Sequence, residues 1–234
     1  MKPNRTISFE QGLSPTKPVN PITFNSQKIF ADPTIFYCKD GSYLKQESNS
    51  NINLKDKSAF ILESGSTIEI TADAKLVVTS GSTLQIKSGA ILKIIGTGRI
   101  EVENGGYICI EQGASLNLVD GLSVINLRPG YNIGVNTNVI PDPGNCLSDP
   151  ANAPITGNGS INSFTDDIYI QNETISSDRY ISGENIYVGR AVTTAKPIGN
   201  VVINNNARVI FEGTQNVNLE GGFEVNTGSA IEVK

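Results

Sequence analysis

Ten apolar residues recur at a strict interval of eight: Ile52, Phe60, Ile68, Leu76, Leu84, Leu92, Ile100, Ile108, Leu116 and Val124. Two positions after each stands a second apolar residue: Leu54, Leu62, Ile70, Val78, Ile86, Ile94, Val102, Ile110 and Leu118. The series fails only at Asn126. Turn-forming residues recur between the pairs, at Gly65, Asp73, Gly81, Gly89, Gly105, Gly113 and Gly121. Large apolar residues on even positions point to strands with one buried face. The parity continues through the corners, where the even positions are small: Ser66, Ala74, Ser82, Ala90, Gly98, Gly106 and Ala114. Odd positions carry Thr67, Glu69, Lys75, Gln85, Lys87, Lys93, Glu101 and Glu103.

A flat meander of such short strands leaves its apolar face needing a cover. This chain offers no helix-forming runs of Ala, Leu, Glu and Lys to supply one. A β-solenoid wraps the sheet around its own core and stacks each coil on the last. The expected fold is therefore all-β: a β-solenoid or β-helix-like stack of octad repeats, in two modules joined by a Pro/Gly-rich linker. Three octads per turn make a triangular coil and two make a flattened one; the period of eight is compatible with either.

The rhythm divides the chain. Residues 1–49 read as an irregular arm or cap broken by Pro3, Pro15, Pro18, Pro21 and Pro33, with one strand expected over Thr34-Ile35-Phe36-Tyr37. Residues 50–131 form the first octad stack. Residues 132–167 read as a linker rich in Pro and Gly, including Pro141-Asp142-Pro143-Gly144. Residues 168–234 restart the pattern, with an octad at Val201, Val209, Val217, Val225 and Val233 and companions Ile203, Phe211, Leu219, Phe223 and Ile231.

A net charge of −5, with 18 scattered Lys and Arg, argues against nucleic acid as a partner. The absence of histidine removes the commonest general base and transition-metal ligand. The three cysteines, Cys38, Cys109 and Cys146, lack the paired spacing of a zinc site. Cys38 and Cys146 flank the repeat block and are candidates for a disulfide in an exported chain, with three independent thiols as the simpler reading. No run is long enough to span a membrane. Met1-Lys2-Pro3-Asn4 opens no signal peptide, which leaves a cytoplasmic protein or an exported one whose leader is absent from this chain.

Catalysis finds little support. Asp166, Asp167, Glu184 and Arg190 are the residues a polysaccharide lyase or hydrolase would draw on, but adjacent aspartates on a strand point to opposite sides. Asp40-Gly41-Ser42 and Asp142-Pro143-Gly144-Asn145 read as turns before they read as calcium loops. Read at every octad, the outward columns mix residue types, as a solvated face does. Among Tyr131, Tyr169, Tyr180, Tyr187 and Phe223, most are expected to fill core or cap ends. Tyr187, between Ile186 and Val188, turns outward if they turn in, which makes it the best single candidate for stacking on a sugar ring.

One phrase goes further. Val209-Ile210-Phe211, then Val217-Asn218-Leu219-Glu220-Gly221-Gly222-Phe223-Glu224-Val225, then Gly228-Ser229-Ala230-Ile231-Glu232-Val233, resembles a C-terminal β-strand stack module of Bacteroidetes-type secreted and surface proteins, the coathanger stacks. Ile125-Asn126-Leu127-Arg128-Pro129-Gly130-Tyr131 parallels its middle portion more loosely. The resemblance implies export or a cell-surface location and a structural role beside other domains of a longer parent protein. The module carries no catalytic residues to transfer. The expected function is thus a non-catalytic spacer or presentation module without enzyme activity, metal or cofactor. Its partners are neighbouring domains, with a polysaccharide or surface glycan, bound by a carbohydrate-binding or adhesin module, as the alternative. On the register above, inward Ile86→Asp is expected to unfold the first stack in a urea titration, and outward Gln85→Asp to leave its midpoint unchanged.

Overall fold

The computed structural model describes residues 34–164 and 166–234 together with the backbone of three strands at Arg5–Phe9, Ile22–Phe24 and Lys28–Phe30. Of the expected arm at 1–49, those three strands join the sheets described below; any capping role of the remaining residues up to 33 lies outside the described residues. Two compact units divide near residue 161, and each is taken by itself.

The first unit is a three-sided parallel β-solenoid. Its first sheet contains Thr34–Cys38, Ala59–Leu62, Thr83–Ile86 and Tyr107–Ile110. Its second contains Tyr43–Gln46, Thr67–Ile70, Ile91–Ile94 and Ser115–Leu118. Its third contains Asn51–Leu54, Lys75–Val78, Arg99–Val102 and Val124–Leu127. Three octads therefore make one coil. Phe60 sits over Leu84 and Leu84 over Ile108, and the Lys93–Glu69 pair links positions 24 residues apart.

The inward columns form one continuous core from Phe36 through Leu127. Phe36 and Phe60 stack within it at 4.6 Å between ring centroids. At roughly 25 cal/mol per Å2 of apolar burial, each coil is stabilised mainly by the coils on either side. The strand at 34–38 pairs with Ala59–Leu62, so the stack reaches back beyond residue 50.

The corners explain the small residues. Gly65, Gly89 and Gly113 adopt left-handed φ of 75°, 76° and 90°, and their amides chain along the stack, Gly65 N–H to Gly89 O and Gly89 N–H to Gly113 O at 3.0 Å each. Gly106 needs its missing side chain for another reason: a Cβ there would stand 2.6 Å from the Val78 carbonyl oxygen.

The octad slips once. Asp120-Gly121-Leu122-Ser123 makes one corner a residue longer, so Ile100 pairs with Ile125 and Val102 with Leu127. Ile125 and Leu127 take the core places expected for Val124 and Asn126, which lie on the opposite face of that strand, where both are also buried. Ser123 donates its hydroxyl to Gly96 O and Asp120 accepts from Gly96 N–H, so the longer corner is fully tied to the coil beneath.

The region expected as a linker continues the stack in part. Asn132–Ile133, Ile155–Gly157 and Ser160–Ser163 extend the three sheets. Tyr131, Leu147, Ala153 and Ile161 pack against the end of the inner core.

The second unit holds two parallel sheets. One contains Ile168–Ile170, Arg179–Val188, Arg208–Leu219 and Ala230–Val233; the other contains Glu173–Ile175, Val201–Ile203 and Phe223–Val225. Its core includes Ile170, Ile186, Val188, Val201, Ile203, Val209 and Phe211. A register shift between Gly183 and Asn185 bends the long strand pair. Of the expected octad, Val201 and Val209 are buried, but Val225 and Val233 are 40% and 49% exposed because they belong to the last coil, which has a neighbour on one side only among the described strands. The two closing phrases share one turn: Gly130 (φ 81°) precedes Tyr131 and Gly222 (φ 88°) precedes Phe223, and both aromatics lean on their cores.

Gly106→Ala is expected to cost the first unit about 1–3 kcal/mol, because the clash is with backbone. Gly221→Ala, with open space around its site, is expected to change stability by less than about 0.5 kcal/mol. Thermal melts of the two variants against the parent check this pair.

Candidate functional site

Three regions of outward side chains depart from a plain solvated surface. The first lies over the first sheet of the first unit. Its outward residues Ile35, Ala59, Ile61 and Cys109 form a second apolar cluster, separate from the core, that Val135, Val139 and Ile140 cover. The covering segment is fastened along its length. Asn136 N–H donates to Thr83 Oγ1 at 3.1 Å, its side-chain amide to Gly81 O at 2.7 Å, and Leu147 N–H to Ile110 O at 2.8 Å. A disulfide joins Cys109 to Cys146, with the Cα atoms 5.0 Å apart.

This overturns two expectations. The disulfide candidate Cys38–Cys146 is not formed. Cys38 is on an even-position inward column, fully buried, and burial pushes its thiol up to about 12, which keeps it protonated and inert. Cys146 instead meets outward Cys109 beside the Glu111–Cys146 antiparallel bridge. Gln85 does point outward, but it lies buried under the same segment, with Nε2 on Glu111 Oε1 at 3.0 Å. Gln85→Asp would set a carboxylate beside Glu111 in a buried site, so it is destabilising rather than silent.

The second region comprises ion pairs, most of which bridge successive coils. Glu69 accepts from the Tyr43 hydroxyl and from Lys93 Nζ, both at 3.0 Å. Glu101, nearly buried, meets Arg99 at 3.2 Å, Arg128 at 2.9 Å and the Asn126 amide at 3.1 Å. Burial first, then the Glu69 carboxylate, holds the Tyr43 hydroxyl above its ordinary range, so it remains a donor. These side chains face one another rather than a shared space.

The third region is in the second unit. Tyr187 turns outward between buried Ile186 and Val188, and stacks on Tyr169 of the neighbouring strand at 5.0 Å, nearly parallel. Asp167 accepts from the Asn185 amide at 2.8 Å and from the Tyr169 hydroxyl at 3.4 Å. The Asn216 amide donates to Asn185 at 3.0 Å, so the polar row spans three strands. A cavity of about 600 Å3 opens between Tyr169 and the loop that follows Val188, lined by Val192, Thr193, Thr194, Lys196 and Ile198. The Tyr169 hydroxyl is held above its ordinary range by partial burial first, then by Asp167 and Tyr187.

The other sequence candidates are dispersed. Glu184 accepts from the Gln215 amide, Asp166 O accepts from Glu184 N–H, and the Arg190 backbone amide donates to Gly221 O. Asp40-Gly41-Ser42 and Asp142 to Gly144 form turns, the latter closed by Gly144 N–H on Asp142 Oδ1 at 3.0 Å. Tyr180 is buried with its hydroxyl on Glu212, Tyr131 packs on the first core, and Phe223 meets Phe211 edge-on at 6.2 Å. Among the described residues, no group of three or more Cys, Asp and Glu side chains is arranged to hold a metal ion, and no helix is long and apolar enough to cross a membrane.

No family model, no curated protein and no solved structure matches this chain.

The cysteine pairing has a direct chemical readout. In denaturant without reductant, one thiol per chain, Cys38, is expected to react with a thiol reagent; after reduction, three react. Three before reduction would rule out the Cys109–Cys146 bond. Cys146→Ser releases the covering segment at the end of a loop of 37 residues and is expected to cost about 3–4 kcal/mol, read from urea midpoints.

Proposed function

We propose that this chain is a non-catalytic structural module that spaces or presents other domains of an exported bacterial protein. The observation that carries the reading is the 24-residue register that runs from Ile35 to Leu118 in the first unit, in which three parallel sheets share one apolar core and fix the outer side chains at repeating positions. Such a stack gives rigidity and reach without needing a chemical centre.

Three further facts support it. The carboxylates that sit deepest on the outer surface, Glu69 and Glu101, are consumed in pairings with Lys93 and Arg128 of the next coil. A disulfide on a strap over the outer sheet fits an oxidising compartment, where such bonds persist. The resemblance to coathanger-stack modules of Bacteroidetes-type surface proteins falls on Val209 to Val233, the closing coils of the second unit.

The test is location. A serum raised against the purified chain is expected to label intact cells that produce it, or to find it in the medium, with the Cys109–Cys146 bond formed. Labelling only after lysis, with all three thiols reduced, would overturn the proposal.

A further inference from the structure

The cavity beside Tyr169 is more than a gap between a strand and a loop, because the loop is built around a buried side chain. Gln171 is 2% exposed, and its amide spends every polar atom on the loop. Nε2 donates to Lys196 O and to Pro197 O at 2.9 Å each, while Oε1 accepts from Thr193 N–H at 3.0 Å. Gly199 N–H closes the loop on Arg190 O at 3.1 Å, and Asn172 N–H anchors it on Gly199 O at 2.9 Å. Thr193 Oγ1 caps Ala195 N–H at 3.1 Å. A loop so held loses little further entropy on binding.

What it walls in is chemically specific. Tyr187 covers one face of Tyr169, and the cavity borders Tyr169 but not Tyr187. Tyr169 is 36% exposed. An aromatic residue backed by a second ring, in a space also lined by Thr193 and Thr194 and by the apolar Val192 and Ile198, matches the alternation of C–H faces and hydroxyl edges on a pyranose. Lys196 is the one charged side chain lining the space. Its ammonium group donates to the Tyr169 backbone oxygen at 2.7 Å and meets no carboxylate among the described residues. Two N–H donors remain for a ligand.

We infer that the cavity binds an acidic polysaccharide, with a sugar ring on Tyr169 and a uronate carboxylate on Lys196 Nζ. Tyr169 and Lys196 make the contacts; Gln171 and Tyr187 are positioning residues. The polar row of Asp167, Asn185 and Asn216 along the same face offers further hydrogen-bonding groups to the chain beyond the cavity. Nothing in this inference depends on the spacer role.

The experiment is affinity electrophoresis of the full chain through gels containing polygalacturonate, alginate or a neutral β-glucan. At least one polyuronate is expected to retard the protein, and the neutral glucan is not. Tyr169→Ala is expected to weaken the retardation at least tenfold, Tyr169→Phe to retain most of it, and Lys196→Gln to weaken it severalfold and remove its salt dependence. Circular dichroism of each variant separates loss of binding from loss of fold, and Gln171→Ala supplies a further arm, weakening binding with both contact residues intact. Unchanged mobility in both polyuronates, equal retardation by the neutral glucan, or parental binding by folded Tyr169→Ala would each overturn the inference. Surface labelling of cells reads the spacer proposal separately, so the two fail independently.

Discussion

Parallel backbone pairing of each coil on the next, in register, is the constraint from which the rest of the first unit follows. Once Phe60 must stack on Leu84 and Leu84 on Ile108, every side chain meets its counterpart one coil away. Inward columns must then be apolar and of matched volume, and corners must repeat the same backbone conformation at the same place. The corner glycines show the second demand directly, since Gly65, Gly89 and Gly113 share one left-handed conformation and bond to one another along the stack. Outward columns must tolerate like beside like, which is why Glu69 sits between Tyr43 and Lys93 rather than beside another carboxylate.

Much of this was legible in the sequence. Parity alone placed Ile86, Leu92 and Val102 in the core and small residues at the corners, because a period of two is a direct property of strands. Coil size was not legible, because eight divides a coil of either two or three sides. That ambiguity hid the outer cluster. Read at every octad, the columns mix Ile61 with Glu69 and Val77; read at every coil, Ile61, Gln85 and Cys109 align and reveal a sheet whose outer face is covered. The same step explains why Cys109, not Cys38, was the partner for Cys146: odd positions of the first sheet face the strap, and even ones face the core. The slip at Asp120–Ser123 was invisible for another reason, since Val124 and Ile125 are both apolar and either could serve the periodic pattern.

The strap itself answers a physical difficulty. A parallel solenoid with an apolar outer column would expose a flat sheet face to other copies, a recognised route to association. Covering Ile35, Ala59 and Ile61 with Val135, Val139 and Ile140 buries that column at the cost of ordering a long segment with no regular structure of its own. The backbone and side-chain hydrogen bonds of Asn136 and the bond between Cys109 and Cys146 offset the ordering cost at both ends of the segment. What composition presents as a Pro- and Gly-rich linker is therefore in large part a side cover, and the proline content suits it, because a covering strand needs defined bends rather than a hydrogen-bonded ladder.

Regularity and binding pull in opposite directions in such a fold. A coil of 24 residues spends every position on three strands and three tight corners, and the excursion of the first unit between Ile133 and Ile155 is spent in large part on covering its outer sheet. The second unit gives up that economy. Between Val188 and Val201 the chain leaves the sheet and returns, and the excursion is held by Gln171, a side chain at the end of the preceding coil. Loops fixed on a rigid scaffold are where binding residues collect, since the scaffold supplies position and the loop supplies chemistry. Alternation turns Tyr187 outward between Ile186 and Val188, and the same rule turns Tyr169 outward between Ile168 and Ile170. The convergence of Thr193 and Lys196 on Tyr169 was not readable, because it depends on which corner carries the extra length, and no periodicity encodes that. In a solenoid the place to look for recognition is the corner where the repeat breaks, and in this chain that corner faces a stacked pair of tyrosines.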